Sequence, residues 1–201
     1  MFSEAKIKDF KKIFANYDNV MTRKQLAEEG LYYRDLQTLA NLGMIEKVRR
    51  GFYHWVEDGT SDIILIKKLF PDAVLCMETA LFYYKYSDRV PAKRSFAIDK
   101  NASRKRFKID YPFIKAYRVK KELLTLGVTS IEIDGYEVRI YDRERTICDI
   151  IRKVNKIDKE TFNKAIQRYL KDPQKNIVNL VNYSKILKVD KKVNERIGVW
   201  L

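Results

Sequence analysis

The stretch that decides the fold of this chain is TRKQLAEEGLYYRDLQTLANLGMIEKVRRGFYHW, which covers residues 22–55. Thr22 is suited to cap a short helix that runs to about Glu28, because a threonine hydroxyl can accept a hydrogen bond from the first turn. Gly30 then ends this helix. A longer helix is predicted from Tyr32 to Leu42. Gly43 is placed to end it, since glycine readily takes the left-handed conformation that follows a helix.

The residues on either side complete a small domain. Towards the N-terminus, Ser3 is a predicted cap, and Ile7, Phe10, Ile13 and Phe14 recur at helical spacing. Towards the C-terminus, apolar residues alternate on both sides of 49–51 (Arg-Arg-Gly), which predicts a hairpin. Two short helices joined by a glycine-containing turn form a helix-turn-helix. Three helices and a hairpin therefore predict an N-terminal winged helix-turn-helix over residues 1–58.

The helix from Tyr32 to Leu42 has two chemically different sides. At about 100° per residue, one side is apolar and is predicted to pack: Tyr32, Leu36, Leu39, Ala40, Gly43. The opposite side is polar, and arginine can bond guanine edges while asparagine and glutamine can bond adenine. We therefore predict base contacts from Arg34, Gln37, Thr38 and Asn41. Tyr33 is predicted to contact either DNA or the helix before it.

Phosphate contacts are predicted from the basic residues beside this helix and on the hairpin: Arg23, Lys24, Lys47, Arg49, Arg50. However, residues 1–58 hold 10 Lys and Arg against 9 Asp and Glu, so the domain is not basic as a whole. A solvated polar helix face, or a winged helix that binds protein, stays an alternative to DNA binding.

Most of the net charge of +14 lies in residues 59–201, which hold 31 Lys and Arg against 18 Asp and Glu. Within them, residues 85–121 hold 13 basic and 3 acidic residues. A cluster of this kind can neutralise several phosphates of DNA or RNA, bind an acidic protein, or form a solvated loop. Its members define a predicted secondary basic surface: Lys93, Arg94, Arg104, Lys105, Arg106, Lys108, Lys120, Lys121.

The order of patterns in residues 59–201 is strands first and helices later. Alternation predicts strands at 95–99 and 113–119, and the pair Asp134-Gly135 is a strong signal for a tight hairpin turn. Asp142 is a predicted N-cap for the next helix, and two further helical patterns follow it. The chain is therefore predicted to be α+β, with a mixed α/β C-terminal domain (residues 59–201) that ends in a helical tail.

The sequence offers little for catalysis, and we expect no enzyme, no metal and no cofactor. The one histidine, His54, lies on the predicted hairpin outside any catalytic motif. Six carboxylates gather around the second hairpin and the helix after it: Glu132, Asp134, Glu137, Asp142, Glu144, Asp149. A metal-dependent nuclease is a third interpretation of this group. Cys76 and Cys148 lie among apolar neighbours, and with no signal peptide or membrane segment we expect a cytoplasmic protein without disulfides.

Several motifs in order resemble the AbiEi-type abortive-infection antitoxins, which are transcriptional regulators of bacterial phage-defence toxin–antitoxin pairs. They are GMI at 43–45, VRRGFY at 48–53, AVL at 73–75, ETAL at 78–81, DRVP at 88–91, GYEVRIY at 135–141 and ERTICDIIR at 144–152. The ERTxxD pattern is the most specific of them. The chain departs from the family at 82–86, where it has FYYKY and family members often have histidines.

This resemblance implies two activities. The winged helix would bind inverted repeats of double-stranded DNA in its own promoter and repress the operon. The C-terminal domain would oppose a nucleotidyltransferase-type toxin, without requiring a stable complex with it.

Overall fold

The computed structural model describes residues 2–56 and 60–198 and divides the chain into two units. The first unit is Met1–Pro71 with Arg104–Pro112, and the second is Asp72–Ser103 with Phe113–Leu201. The predicted domain boundary between residues 58 and 59 lies outside the described residues. Within the described ranges, no helix combines the length and the apolar character needed to cross a bilayer.

The first unit combines four α-helices, a three-stranded antiparallel sheet and a 3-10 helix. Its elements are α1 (Glu4–Ala15), β1 (Val20–Thr22), α2 (Arg23–Glu28), α3 (Tyr33–Asn41), β2 (Ile45–Arg49), β3 (Phe52–Trp55), α4 (Asp62–Leu69) and the 3-10 helix Arg104–Phe107. The strands lie in the order β1-β3-β2. Thr22 forms a full capping box with Gln25, and Ser3 caps α1, as the sequence predicts.

A small apolar core holds the first unit together. Phe14 and Trp55 are both fully buried, and their ring centroids lie 5.5 Å apart. The other buried members come from α1, β1, α2, α3 and β2 and the turn between the two middle helices: Phe10, Met21, Leu26, Leu31, Leu36, Leu39, Ile45. Because α3 enters this core through Leu36 and Leu39, the core fixes which side of α3 faces solvent.

The second unit is a five-stranded mixed sheet followed by helices, as the α+β prediction requires. Its elements are β4 (Val74–Leu75), α5 (Met77–Tyr83), β5 (Arg94–Asp99), β6 (Ile114–Val119), α6 (Lys121–Leu124), β7 (Val128–Ile133), β8 (Tyr136–Tyr141), α7 (Arg143–Arg152), the 3-10 helix Val154–Lys156, α8 (Lys159–Lys171), α9 (Ile177–Ile186) and α10 (Asp190–Ile197). The strand order is β6-β5-β4-β8-β7, in which β5 and β6 are parallel and β7 and β8 form a hairpin.

The centre of this unit is α7, which packs on α5, α8, α9 and α10. Cys76 and Cys148 are both buried and free, and burial raises the pKa of each thiol. The β7–β8 hairpin turns at Asp134 and Gly135, whose φ angles are 52° and 79°. Two consecutive residues in the left-handed region are what an Asp-Gly hairpin turn needs, so this prediction is confirmed.

Candidate nucleic-acid interface

Helix α3 presents a polar side to solvent. Leu36 and Leu39 are buried, while Arg34, Gln37 and Asn41 are exposed and Thr38 is half-buried. The packed side is narrower than the sequence predicts, because Tyr32, Ala40 and Gly43 are exposed. Tyr32 is the N-cap and Gly43 lies beyond the C-cap Leu42, so helical spacing does not determine where these two residues point.

Hydrogen bonds divide the predicted base-reading residues into two kinds. The Gln37 Nε2 donates to the Tyr33 Oη at 3.0 Å, and the Thr38 Oγ1 donates to the Arg34 carbonyl at 2.9 Å. Within residues 2–56 and 60–198, by contrast, the side chains of Arg34 and Asn41 make no hydrogen bond or ion pair. Arg34 and Asn41 therefore keep all their side-chain donors available to a ligand, while Gln37 keeps one of its two amide hydrogens.

The tip of the β2–β3 hairpin lies beside the start of α2. The backbone N–H of Arg23 donates to the Gly51 carbonyl at 2.9 Å, and Gly51 has a φ of 82°, which suits glycine in this tight turn. Arg23 and Arg50 are both exposed, as is Lys47 on β2. In the described part of the chain, none of these three cations has a carboxylate partner. Lys24 is also exposed, but it pairs with Glu28 at 3.6 Å.

Arg49 does not extend into solvent like its neighbour Arg50. Its Nη2 donates to the Leu69 carbonyl at the end of α4, at 2.9 Å. Its guanidinium carbon lies 4.1 Å from the ring centroid of Phe52 and 5.4 Å from that of Phe70. A register shift between Lys47 and Arg49 breaks the alternation of β2 at this point. The geometry therefore makes Arg49 an anchor that joins the hairpin to α4.

Phe70 also holds part of the secondary basic surface. The Phe107 ring stacks on it with centroids 5.5 Å apart, and the Arg106 guanidinium carbon lies 5.8 Å from its centroid. Phe70 contacts Arg49 on one strand of the β2–β3 hairpin and also contacts Arg106 and Phe107. These contacts link the segment Arg104–Phe107 to the hairpin. Arg104, Lys105 and Lys108 are exposed beside it.

The secondary basic surface is consequently divided between the two units. Arg104, Lys105, Arg106 and Lys108 belong to the first, while Lys93, Arg94, Lys120 and Lys121 belong to the second. With Arg104, Lys105, Arg106 and Lys108 included, the first unit holds sixteen Lys and Arg against eleven Asp and Glu. The sequence does not predict this division of the basic surface, because the division depends on contacts between residues more than thirty positions apart, such as Phe70 and Phe107.

The ERTxxD residues of α7 form a buried network. The fully buried Arg145 donates from Nε to Asp149 Oδ2 at 3.1 Å, and from Nη1 to the carbonyls of Leu123 and Leu126 at 2.8 and 3.0 Å. Glu144 is also buried and accepts from the Asn176 N–H at 2.7 Å. These contacts give Glu144, Arg145 and Asp149 a structural function within the second unit.

The other carboxylates of the predicted acidic group are used locally or exposed. Asp142 caps α7 through the Arg145 N–H, and burial raises the pKa of its carboxyl group. Asp134 forms the hairpin turn, while Glu132 and Glu137 are exposed. Among the described residues, no three His, Cys, Asp or Glu side chains are grouped so that they could hold a metal ion.

His54 is buried on β3, with its Nδ1 3.0 Å from Glu46 Oε1. This placement accounts for the one histidine as a packed residue that is hydrogen-bonded to the neighbouring strand.

Comparison with known proteins adds no identification, because no protein-family model and no curated protein matches this chain. The likeness to the AbiEi-type antitoxins therefore stays a prediction from the motifs.

Proposed function

We propose that this protein is a DNA-binding transcriptional regulator whose first unit is a winged helix-turn-helix. The observation that carries the proposal is the solvent-facing side of α3, where the side chains of Arg34 and Asn41 are exposed and make no hydrogen bond or ion pair within residues 2–56 and 60–198. A helix with this polarity fits the major groove, where arginine and asparagine distinguish guanine and adenine.

The order of elements supports the same proposal. A helix-turn-helix places its second helix in the major groove while the first helix lies across the backbone. Here α2 and α3 are the two helices, and the β2–β3 hairpin is the wing. Arg23 and Arg50, which the Arg23–Gly51 hydrogen bond brings to one end of the sheet, are suited to neighbouring phosphates. Lys47, Arg104, Lys105 and Lys108 extend the basic area within the unit.

A binding titration tests this function. Fluorescence anisotropy would compare the DNA upstream of the protein's own gene with a random duplex of equal length, at two salt concentrations. We expect tighter binding to the upstream DNA and a steep decline with salt, because several cations contact phosphates. Arg34→Ala should weaken this binding, whereas Lys8→Ala, an exposed cation on α1, serves as the matched control. Equal affinity for both duplexes would contradict sequence-specific regulation.

We further propose that the regulator is the autorepressor and antitoxin of a bacterial phage-defence operon. The ordered motifs that resemble the AbiEi-type antitoxins support this part. The test is co-expression with a nucleotidyltransferase-type toxin encoded beside it, with the full chain and with an empty vector. Restored growth with the full chain alone is the expected result. Toxicity that persists with the full chain would refute the antitoxin function.

One observation favours a second candidate, which is a protein-interaction module. Tyr32, Tyr33 and Leu42 are 65%, 64% and 42% exposed at α3 and its ends, and such apolar side chains are frequent in protein interfaces. Tyr32→Ser distinguishes the two functions. If α3 binds protein, this substitution weakens capture of the partner while the protein shows no selective binding to any duplex.

A further inference from the structure

A cavity of about 260 Å³ in the second unit is lined by both apolar groups and cations. The apolar part includes Val119, Leu123, Ile186 and Leu187. The lining contains a single carboxylate, that of Asp149, against six cationic residues: Arg118, Lys120, Arg145, Arg152, Lys153, Lys188.

Internal contacts account for only some of these charges. Arg145 and Asp149 bind each other, and Arg118 donates to the carbonyls of Lys100 and Ala102 at 2.6 and 3.0 Å. Lys120 pairs with Glu122 at 3.8 Å. Arg152, Lys153 and Lys188 remain. No carboxylate of the described chain lies within ion-pair distance of any of the three.

Lys153 is the partly buried member of these three cations, whereas Arg152 and Lys188 are exposed. Burial lowers the pKa of the Lys153 ammonium group, and its Nζ lies 4.4 Å from the ring centroid of Tyr117. Placing a cation where it loses hydration costs free energy unless an anion compensates it. The carboxylate of Asp149 offsets this cost only in part, because it also accepts a hydrogen bond from Arg145 and the pKa of the Lys153 ammonium group stays lowered.

Helix dipoles compensate part of the charge. Arg152 and Lys153 lie at the C-terminal end of α7, and Lys188 follows the C-cap of α9. Each helix C-terminus carries roughly half a negative charge, so the two ends together balance about one of the three cations. A net excess of positive charge remains around the cavity, which suits an anion such as a phosphate monoester.

We propose that this cavity binds the phosphate monoester of a nucleotide, with its sugar or base against the apolar lining. The cavity is slightly smaller than the usual range of roughly 300–1,000 Å³ for ligand pockets. It therefore suits one phosphate and its immediate substituent. The phosphate is carried either by a free nucleotide or by the 5′ end of an RNA strand. The site lies wholly in the second unit and is independent of DNA binding by α3.

Calorimetric titration of the full chain tests the site. The probes are AMP, adenosine, a 5′-phosphorylated RNA tetranucleotide and the same RNA with a 5′-hydroxyl. We expect binding that requires the phosphate. Binding of AMP identifies a free nucleotide as a source, and binding of the phosphorylated RNA alone identifies an RNA end. The proposal is overturned if neither phosphorylated probe binds at millimolar concentrations, or if each hydroxyl form binds as well as its phosphorylated form.

Two substitutions localise the binding. Lys153→Met keeps the length and apolar stem of the side chain, and Lys188→Asn suits the φ of 56° at that position. Each should weaken binding by about tenfold, because a charge-assisted hydrogen bond is lost. Lys192→Gln on α10, outside the cavity, is the control and should leave affinity unchanged. Circular dichroism checks folding, and a fully folded Lys188→Asn protein with unchanged affinity would overturn the assignment.

Discussion

Arg49 and Arg50 are adjacent in sequence, yet the structure predicts opposite results when each is replaced by alanine. Arg50 is exposed at the hairpin tip, so Arg50→Ala removes one phosphate contact and leaves the fold intact. Each contact contributes about 0.9 to the slope of log K against log salt. We therefore expect the slope to fall by about 0.9, and the affinity for every duplex to fall roughly eightfold at 0.1 M salt.

Arg49→Ala should instead destabilise the first unit. The substitution removes a hydrogen bond to the Leu69 carbonyl and a cation–π contact with Phe52 at 4.1 Å. A charged hydrogen bond contributes about 1.5–3 kcal/mol and a partly exposed cation–π contact about 0.5–1 kcal/mol. Because the side chain is half-buried, we take the lower part of these ranges and expect a loss of about 2 kcal/mol in the free energy of unfolding.

The assay pairs DNA titrations at several salt concentrations with urea unfolding followed by tryptophan fluorescence. Trp55 is fully buried in the first unit, so a Trp200→Phe background makes the signal specific for that unit. Lys8→Ala is the control for both measurements. The double variant should combine the two losses. The assignment is refuted if Arg49→Ala lowers the salt slope without loss of stability, or if Arg50→Ala leaves slope and affinity unchanged.

Three further predictions follow from the described contacts. Asn41→Ala should reduce the ratio of operator to random-DNA affinity by about tenfold with unchanged unfolding; an equal loss on both duplexes would contradict base reading. Arg145→Leu should cost about 3–5 kcal/mol in urea unfolding, because it leaves the buried Asp149 unpaired, and Arg145→Leu with Asp149→Leu should recover most of that loss. Arg168 and Lys164 lower the pKa of Asp88 to about 2, so this pairing stabilises the fold above about pH 4 and is lost as the pH falls towards 2. Asp88→Asn should therefore reduce the acid dependence of unfolding between those pH values, and an unchanged acid profile would contradict the pairing.

Local signals in the sequence predicted local structure well. The hydroxyls of Ser3 and Thr22 cap their helices, and Asp134-Gly135 forms the expected turn. In each case the interacting atoms lie within about four positions along the chain, so residue type and spacing suffice. The sequence does not predict β1, because three residues are too few to show the alternation of a strand. Only the pairing with β3 makes this segment a strand.

The errors at the candidate site have a different cause. The sequence predicts Tyr32 and Ala40 on the packed side of α3, but both are exposed, and Leu36 and Leu39 are the residues of α3 that enter the core. Local patterns also cannot predict the contact of Arg49 with the Leu69 carbonyl, twenty positions away, and the phosphate contact of Arg49 stays a prediction. Helical angles and strand alternation give the relative directions of side chains, whereas the partner surface decides which of those directions is buried.

Charge compensation separates the structural from the candidate functional cations of this chain. On α7, Arg145 is buried because Asp149 and two carbonyls satisfy it, and Arg143 pairs with Asp172 at 3.0 Å. Arg34 and Arg50 in the first unit lack such partners among the described residues. The cost of leaving a cation unpaired is small in solvent and grows with burial. The DNA titrations of Arg34→Ala and Arg50→Ala therefore test the function of these exposed cations. Lys153 is partly buried, has no ion-pair partner in the described ranges and lies 4.4 Å from the Tyr117 ring centroid, so the cation-lined cavity in the second unit is a separate candidate for anion binding.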